Sequence, residues 1–418
     1  MEVKMRSLNG IDLRGKKVLL RPDINSPVDP VTKKIVNDNR IVKTIPVIKD
    51  LLEKGAGVAI IAHQGDTLDY QNLVDLSEHA DRLTELLGQK VEYIDDVCGP
   101  AAIERVKNLK AGEVVILGNL RYLTEEVSTF EKDVKQTAEE YTHCWEVRKL
   151  APLFDFYVNE AFSAAHRNSP SMVAFQELLP TAAGPLLFKE YEALYNVLHN
   201  AEQPCVFVLG GAKISDAYGM MRPVLENGTA DAILTTGVTG LVMLYASGVN
   251  IGEKTLKFLK DKDLLGFVDD SRKFLAEFPG KIFMPVDVAY EKDGERVEID
   301  ITEMPIDSLY PDIGQKTVAA YREILNKAKT VFANGPAGVY ENPMFEYGTR
   351  EVWKAIAESP AYSVIGGGDT ISSATKFIDL NDISYVCTGG GAMVRFMSGK
   401  KMPLITAMEK AYERDKSL

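Results

Sequence analysis

Four loops in the first half of the sequence carry polar or basic side chains just after short apolar runs. They read RPDINSP, AHQGD, GNLRY and AFSAAHR, and a further segment, DNRI, places Arg40 at a predicted helix start. A guanidinium group suits a phosphate or a carboxylate, which it binds through two parallel hydrogen bonds. Any one of these arginines taken singly is better explained as a solvated surface residue, but their shared placement favours an anion site. The side chains concerned are Asp23, Asn25, Arg40, His63, Arg121, His166 and Arg167.

Glycine-rich loops follow another series of apolar runs in the second half. They read LGGAK, TTGVTG, ANGPAGVYE, IGGGDT and CTGGG. Glycine lets the backbone approach a ligand closely, and the N–H groups at a helix N-terminus bind anions. One such loop is explained by a tight turn, whereas several on successive strands favour a polyphosphate lying across helix N-termini. Lys213 stands at the start of the first predicted helix.

Two carboxylates near these glycines have alternative interpretations. Asp369 beside bound phosphates would be repulsive without a cation, and Mg2+ is commonly held by one carboxylate and phosphate oxygens. The same residue also fits a helix N-cap. Glu341 is either an ordinary loop residue or an acceptor for a ribose hydroxyl. The spacing leaves these alternatives open.

The elements that position these loops are short apolar strands alternating with amphipathic helices. This alternation predicts two doubly wound, Rossmann-like α/β domains with parallel sheets, whose ligands bind outside the carboxyl ends of the strands. Helices are predicted at 73–87 and 315–327. Strands are predicted at residues 17–20, 58–62, 114–117, 154–158, 205–209, 232–235, 281–285, 330–333, 362–365 and 384–387.

A segment containing proline and glycine at residues 178–184 separates the two halves, and a helical pattern follows at 188–199. We therefore expect one domain at 1–178, a linker or hinge helix at 179–203, a second domain at 204–391, and a segment at 392–418 that packs back towards the first domain. Domains joined by a helix would leave an interdomain cleft, with hinges near 178–184 and after residue 391.

The composition excludes several classes of protein. The chain has 418 residues and a formal net charge of −12, whereas bulk nucleic-acid binding needs a basic face. Apolar runs are too short for a membrane span, and we expect no signal peptide. The cysteines Cys98, Cys144, Cys205 and Cys387 show no CxxC spacing, which predicts reduced thiols in a cytoplasmic protein.

Three familiar motifs are missing. The sequence has no GxxxxGK[ST] and no HRD…DFG set, which excludes a P-loop protein and a protein kinase. The first predicted strand leads into RPDIN instead of GxGxxG, which argues against an NAD-dependent dehydrogenase.

Taken in order, the loops resemble those of the phosphoglycerate kinase family, and its archaeal members in particular. NGPAGVYE together with GGGDT carries this resemblance most specifically. The resemblance implies reversible in-line transfer, in a closed cleft, between 1,3-bisphosphoglycerate and ADP, giving 3-phosphoglycerate and ATP with Mg2+. It implies small-molecule substrates, no nucleic acid or membrane partner, and a monomer or homodimer.

The resemblance also implies roles for individual residues. The phosphoglycerate site would comprise Asp23, Asn25, Arg40, His63, Gln64, Gly65, Asp66, Arg121 and Arg167. The nucleotide site would comprise Gly211, Ala212, Lys213, Gly237, Asn334, Pro336, Glu341, Gly366, Gly367, Gly368, Asp369 and Thr370. Asp369 would hold the metal. The transferred phosphoryl group would be surrounded by Arg40, Lys213, Gly368 and Gly390.

Two positions depart from the family pattern. Asp66 stands where the family commonly has arginine, so either another residue compensates or Asp66 points away. Ala217 stands where a second lysine is common. These two residues support the alternative of a non-catalytic relative that binds nucleotide and phosphoglycerate.

Overall fold

Apolar strands form a parallel sheet in each half of the chain, which confirms the predicted fold class. A computed structural model describes residues 2–416. The chain divides into two units. The first unit comprises Glu2–Glu192 with the segment from Lys401 onward, and the second unit comprises Ala193–Lys400.

The first unit contains a six-stranded parallel sheet. Its strands are β1 (Lys17–Pro22), β2 (Gly57–Ile60), β3 (Val91–Tyr93), β4 (Val114–Ile116), β5 (Phe156–Glu160) and β6 (Thr181–Ala183). Their order across the sheet is β3–β4–β2–β1–β5–β6. The order reverses between β1 and β5, and ligands bind at such switch points in open α/β sheets.

Helices lie between these strands, and a last one follows β6 and continues into the second unit. They are α1 (Asn39–Glu53), α2 (Ser77–Leu87), α3 (Pro100–Lys107), α4 (Ser128–Asp133), α5 (Ala138–Tyr141), α6 (Trp145–Leu150), α7 (Pro170–Val173), α8 (Phe175–Leu178) and α9 (Pro185–His199). Buried side chains of α1 recur at helical spacing, at Ile41, Thr44, Val47, Ile48 and Leu51. The apolar ones join Val18 and Ile60 of the sheet in one core, so α1 covers one face of the strands.

The second unit repeats this plan. Its elements are β7 (Cys205–Leu209), α10 (Ile214–Glu226), β8 (Ala232–Thr235), α11 (Gly237–Ala246), α12 (Gly252–Asp261), α13 (Val268–Glu277), β9 (Ile282–Phe283), β10 (Asp287–Lys292), β11 (Glu295–Asp300), β12 (Asp312–Ile313), α14 (Gln315–Lys327), β13 (Thr330–Asn334), α15 (Tyr347–Glu358), β14 (Tyr362–Gly366), α16 (Gly368–Phe377), β15 (Tyr385–Cys387) and α17 (Gly390–Met397). The parallel sheet has the order β15–β14–β13–β7–β8–β9, so its switch point lies between β7 and β13.

A small antiparallel sheet, β11–β10–β12, was not predicted. Its strand β11 reads ERVEID and is partly exposed along most of its length. Such a strand has no apolar run by which a buried strand is recognised.

Residues 178–184 were predicted to separate the two domains, but they contain strand β6 of the first sheet. Thr181–Ala183 are buried and pair with β5. The first unit accordingly continues to Glu192, beyond the predicted boundary at residue 178. A three-residue strand shows no periodicity, so only its pairing reveals it.

The C-terminal boundary also lies later than predicted. Helix α17 packs on α10, and the second unit extends to Lys400 instead of residue 391. The last helix, α18 (Pro403–Arg414), contacts β6, α7 and α8 of the first unit. Among the helices of residues 2–416, none is long and apolar enough to cross a membrane.

Candidate active site

The first predicted cluster lies where β1 and β5 end. Asp23 follows β1, and its carboxylate accepts a hydrogen bond from Arg40 Nη1 at 2.8 Å. The same carboxylate oxygen accepts a hydrogen bond from the hydroxyl of Ser163, which follows β5. The Arg40 side chain remains 48% exposed. Arg40 is thus oriented by one carboxylate while part of its side chain faces solvent.

His63 follows β2 and lies against a buried arginine that we did not single out from the sequence. Arg21 Nη2 is 3.0 Å from His63 Nδ1, and Arg21 Nε donates to Ser171 Oγ at 3.1 Å. Burial, and then the charges of Arg21 and Arg121, lower the pKa of His63 well below its ordinary value. His63 is therefore neutral near pH 7, with Nδ1 accepting the hydrogen bond, since a guanidinium is only a donor.

Asp66, Arg121 and Arg167 form an ion-pair cluster. Asp66 Oδ2 lies 3.1 Å from Arg121 Nη1 and 3.5 Å from Arg167 Nη2, and the Ser128 hydroxyl donates to the same oxygen at 2.7 Å. Burial acts to raise the pKa of Asp66, but the hydrogen bond from Ser128 and the charge of Arg121 hold this pKa below its ordinary value. Asp66 is thus ionised near pH 7 and points towards the two arginines.

Gln64 does not present its side chain to a ligand. It is fully buried, its oxygen accepts from the Ser26 N–H at 2.8 Å, and its amide nitrogen donates to the carbonyl oxygens of Ser26 and Asn72. These bonds fix the loop after β2. The side chain is thus fully engaged within the protein, and the predicted substrate contact of Gln64 would have to come from its backbone. Asn25 Oδ1 accepts from the Gly65 N–H at 3.1 Å, which ties the loop after β1 to the same segment.

In the second unit, four helices begin where strands of the parallel sheet end: α10, α11, α16 and α17 follow β7, β8, β14 and β15. None of their four N-cap residues supplies a side-chain hydrogen bond to the helix. The first-turn N–H groups have no partners within a helix, and the helix dipole favours an anion there. These N-termini are therefore suited to a polyphosphate.

The loops after β7 and β13 meet through their backbones at the switch point. The Gly210 N–H donates to the Asn334 carbonyl oxygen at 2.9 Å, and the Gly211 N–H donates to that of Pro336 at 2.8 Å. Gly335 has a φ of +89°, and a Cβ there would lie 2.3 Å from the Gly210 carbonyl oxygen. Only glycine therefore fits at residue 335.

The loop after β14 is held to this pair by hydrogen bonds. Asn334 Nδ2 donates to the Gly366 carbonyl oxygen at 2.7 Å, and the buried Thr370 hydroxyl accepts from the Gly335 N–H at 2.8 Å. Gly366 thus holds the Asn334 side chain through its carbonyl oxygen, and its contact with a nucleotide stays a prediction.

Two adjoining cavities lie at these loops. The smaller, of about 140 Å³, is lined among others by the predicted residues Gly211, Ala212, Lys213, Asn334, Pro336, Gly367, Gly368, Asp369, Thr370 and Gly390. The larger, of about 340 Å³, has apolar walls that include Val238, Leu241, Phe258, Leu309 and Val339. Gly237 and Glu341 line only the larger cavity. A polar cavity beside an apolar one suits phosphates joined to a nucleobase.

The cationic group of the smaller cavity is Lys213. It occupies the N-cap position of α10 and is exposed. Ala217, one turn later, is buried with 1% of its surface exposed. Among the described residues that line this cavity, Lys213 is the only lysine or arginine, so nothing in its wall takes the place of a second lysine.

Asp369 is the second residue of α16 and is exposed. The N-cap residue is Gly367, and its position carries no side-chain cap, so the N-cap interpretation of Asp369 does not hold. Within residues 2–416 no group of three or more His, Cys, Asp or Glu side chains is placed to hold a metal ion. A cation here would depend on Asp369 and on phosphate oxygens, a donor set that fits Mg2+.

The structure adds residues that sequence reasoning missed. Arg21 opens the RPDINSP segment but belongs to β1, and its contact with His63 joins residues 42 positions apart. Ser163 lies within AFSAAHR and reaches Asp23 across 140 positions. Their types were visible in the quoted loops, but their partners depend on the strand order.

The comparisons with known proteins cover nearly the whole chain. The family model described as phosphoglycerate kinase matches residues 8–400. The phosphoglycerate kinase of Methanothermus fervidus is 42% identical over 98% of this chain and 98% of its own length. That of Thermococcus kodakarensis is 44% identical over 96% of each.

Two solved structures agree with these matches. The crystal structure of phosphoglycerate kinase from Pyrococcus horikoshii has a TM-score of 0.82 and 42% identity, covering 98% of this chain and 100% of its own. The structure from Coxiella burnetii has a TM-score of 0.81 and 30% identity, covering 97% and 99%. The similarity therefore extends through both units.

Proposed function

The chain belongs to the phosphoglycerate kinase family, and from this we propose how its residues carry out the reaction of the family. That reaction moves a phosphoryl group between 1,3-bisphosphoglycerate and ADP, with 3-phosphoglycerate and ATP as the other pair. The chain is accordingly a phosphotransferase whose small-molecule substrates include ATP and ADP. The observation that carries the residue assignments is an arginine cluster in the first unit and four uncapped helix N-termini in the second.

The first unit binds phosphoglycerate. Arg121 and Arg167 provide guanidinium groups for its phosphate, and Arg40, oriented by Asp23, serves the reacting end. Neutral His63 and Asn25 add hydrogen bonds without adding charge. The support for this assignment is that Asn25, His63, Arg121 and Arg167 follow the carboxyl ends of neighbouring strands. Arg40, in the first turn of α1, is joined to this edge by Asp23.

The second unit binds the nucleotide. The polyphosphate lies in the smaller cavity against the N-termini of α10, α16 and α17, and the base enters the larger apolar cavity. Glu341 lies on the wall of the larger cavity, where its carboxylate accepts a hydrogen bond from a ribose hydroxyl. The support is the match between polar and apolar cavity walls and the two ends of a nucleotide.

We propose Mg2+ as the cofactor, held by Asp369 and by phosphate oxygens of the nucleotide. When bound, Mg2+ neutralises negative charge on the phosphates. Asp369 is exposed on the first turn of α16 and lines both cavities, so its carboxylate reaches the side on which the phosphates lie.

The transfer itself needs no general base. In the direction of acyl phosphate formation the nucleophile is the substrate carboxylate, which is already deprotonated near pH 7. Catalysis then consists of positioning and charge neutralisation. We assign the neutralisation to Arg40, Lys213 and the backbone N–H groups at Gly368 and Gly390. Direct transfer also requires that the two substrates meet with water excluded.

The alternative of a non-catalytic relative is not favoured, because the similar proteins are kinases over their full length. Its support was Asp66 and Ala217. Asp66 leaves the arginines in place, and Ala217 leaves Lys213 exposed at the cavity. Neither residue removes the cationic groups that transfer requires.

A coupled assay with 3-phosphoglycerate, Mg2+ and ATP tests the proposal. We expect turnover that requires all three components. Arg40→Ala lowers kcat by about 10³-fold, the scale of one cationic group at a transferred phosphoryl group. Arg14→Ala, which removes an exposed arginine of the same unit, is the matched control and leaves kcat unchanged. Calorimetric binding of both substrates without turnover would favour the binding protein instead.

We also propose a cytoplasmic location, supported by four free cysteines without paired spacing. We further propose that the chain acts as a monomer or a homodimer. Sedimentation at two protein concentrations distinguishes these states.

A further inference from the structure

Asp66 places a negative charge inside the arginine cluster of the first unit. Its Oδ2 atom faces Arg121 and Arg167 at 3.1 and 3.5 Å and accepts a hydrogen bond from Ser128. Its Oδ1 atom accepts the Thr67 N–H at 2.7 Å. The Asp66 side chain is 13% exposed. One carboxylate oxygen therefore bridges two guanidinium groups, as an oxygen of a bound phosphate would.

Neither arginine depends on Asp66 alone for its position. The Arg121 side chain is 7% exposed, and its Nη1 atom also donates to the Glu126 carbonyl oxygen. Arg167 Nη1 donates to Glu131 Oε2 at 3.2 Å. Glu131 is itself fixed, because its other oxygen accepts the Asn168 N–H at 2.8 Å. Removing the charge of Asp66 would therefore leave both guanidinium groups anchored.

We propose that Asp66 is a built-in competing anion that sets the affinity of this site for the phosphate of phosphoglycerate. The carboxylate holds the guanidinium groups that the phosphate needs, and the phosphate binds by taking its place. A phosphate offers more charge and more acceptor oxygens than a carboxylate, so it displaces Asp66. The net gain in binding free energy is smaller than it would be at the same arginines without Asp66. The inference rests on the proposed phosphoglycerate site and adds a residue that weakens binding there.

Competition from Asp66 changes the affinity of the site for phosphoglycerate and the rate at which phosphoglycerate is released. Asp66 lowers the net attraction for the bound phosphate, so phosphoglycerate dissociates faster than from the same arginines without a carboxylate. The chemical step involves the other end of the substrate, so the proposal predicts a change in dissociation constant and KM with kcat affected far less.

Asp66→Asn is the direct test, since it removes the charge and keeps the shape. We expect the calorimetric Kd for 3-phosphoglycerate to fall about tenfold, the low end of the effect of one charge within hydrogen-bonding distance. Inhibition by inorganic sulfate should strengthen in parallel. Asp66→Ser provides a second uncharged variant if the asparagine variant folds poorly.

Two controls separate this effect from a general one. Asp66→Glu keeps the charge and should not tighten binding. Asp133→Asn removes one negative charge from an exposed position on α4 of the same unit and should leave Kd unchanged.

The outcomes are distinguishable. Weaker binding by folded Asp66→Asn and Asp66→Ser would show that Asp66 positions the arginines, and would overturn the proposal. Equal tightening by Asp133→Asn would also overturn it, since the effect would then be one of net charge. Failure of the unmodified chain to bind 3-phosphoglycerate would instead refute the proposed function.

Discussion

Two aspartates at the candidate sites differ in how the protein surrounds them. The Asp66 side chain is 13% exposed and contacts two arginines and a serine hydroxyl. Asp369 is exposed, lines both cavities and does not occupy the N-cap position of its helix. Asp66 is therefore suited to compete with a phosphate for two guanidinium groups, whereas Asp369 is suited to hold a metal ion.

Asp369→Asn tests the metal assignment. We expect Mg2+-dependent turnover to fall by at least about 10²-fold, because charge stabilisation by a metal is worth several kcal/mol. The free energy of unfolding should change by no more than about 0.5 kcal/mol, as for other surface substitutions. Turnover against Mg2+ concentration and urea unfolding measure the two effects. A large loss of stability with retained turnover would return Asp369 to a structural role, and Asp261→Asn serves as the exposed control.

A buried carboxyl group that is not among the proposed site residues carries a pH dependence. Burial, followed by the charge of Glu126, raises the pKa of Glu146 to about 8, and in the described chain neither of its side-chain oxygens has a hydrogen-bond partner. The folded chain therefore holds a proton there that the unfolded chain releases near pH 4.5. The free energy of unfolding should fall as the pH rises from about 4.5 to about 8, and level off above that.

Glu146→Gln should remove this contribution, since an amide does not ionise. We expect the slope of the unfolding free energy between pH 5 and 8 to be shallower in the variant by up to roughly 1.4 kcal/mol per pH unit. Urea denaturation of both proteins at several pH values measures the difference. Identical slopes would mean that Glu146 is ionised in the folded chain.

The proposed nucleotide site is formed by neighbouring elements of the second sheet. In the second sheet β14, β13, β7 and β8 are consecutive neighbours. Because parallel strands end at the same edge, the helices α16, α10 and α11 start next to one another, with the loop after β13 between them. The register of the sheet, and not any single helix, brings their N–H groups to one place.

Gly335→Ala tests how closely the loops after β7 and β13 must approach. A Cβ would lie 2.3 Å from the Gly210 carbonyl oxygen, and the φ of +89° is unfavourable for alanine. Backbone strain alone costs about 1–3 kcal/mol, and we expect the free energy of unfolding to fall by more than that because the Cβ also clashes. ADP binding, measured by calorimetry, should weaken. Gly228→Ala is the matched control, because its φ is +74° but its Cβ would meet nothing within 4 Å. Its free energy of unfolding should fall by about 1 kcal/mol, the cost of a left-handed conformation for alanine, and it should bind ADP normally. Equal effects of both variants would contradict a special role for residue 335.

At the scale of the whole molecule, the chain leaves the first unit after Glu192 and returns to it at Lys401. Helix α18 therefore completes a unit whose other residues lie more than 200 positions earlier. Its Leu404 is fully buried, and the Leu404 N–H donates to the Ala165 carbonyl oxygen at 3.2 Å. The stability of the unit that carries the proposed phosphoglycerate site thus depends on helix α18.

Leu404→Ala should destabilise the first unit by about 2–5 kcal/mol, the usual effect of such a deletion in a core. Urea denaturation measures the loss, and faster hydrogen exchange at β6 would locate it in the first unit. Leu178→Ala, which truncates a side chain that is 51% exposed, should change stability by no more than about 0.5 kcal/mol. A similarly small effect of Leu404→Ala would mean that α18 is detached in solution.

The fold class, most strands of both parallel sheets, the family, and the loops that carry the candidate residues could all be predicted from the amino-acid pattern. The strand predicted at 205–209 and the helix predicted at 315–327 match Cys205–Leu209 and Gln315–Lys327. These features are readable because they are local. An apolar run, a helical period or a glycine cluster is complete within a few consecutive residues.

The partners of those residues, in contrast, could not be predicted, because they depend on tertiary contacts. Gln64 stands between two other predicted substrate-binding residues in the sequence, but its side chain is hydrogen-bonded to the backbone of Ser26 and Asn72. Asp66 finds its partners Ser128 and Arg167 at separations of 62 and 101 positions. Likewise β6 exists as a strand only by pairing with β5. Each of these outcomes depends on which distant segments become neighbours, and that is set by strand order and register and not by any local pattern.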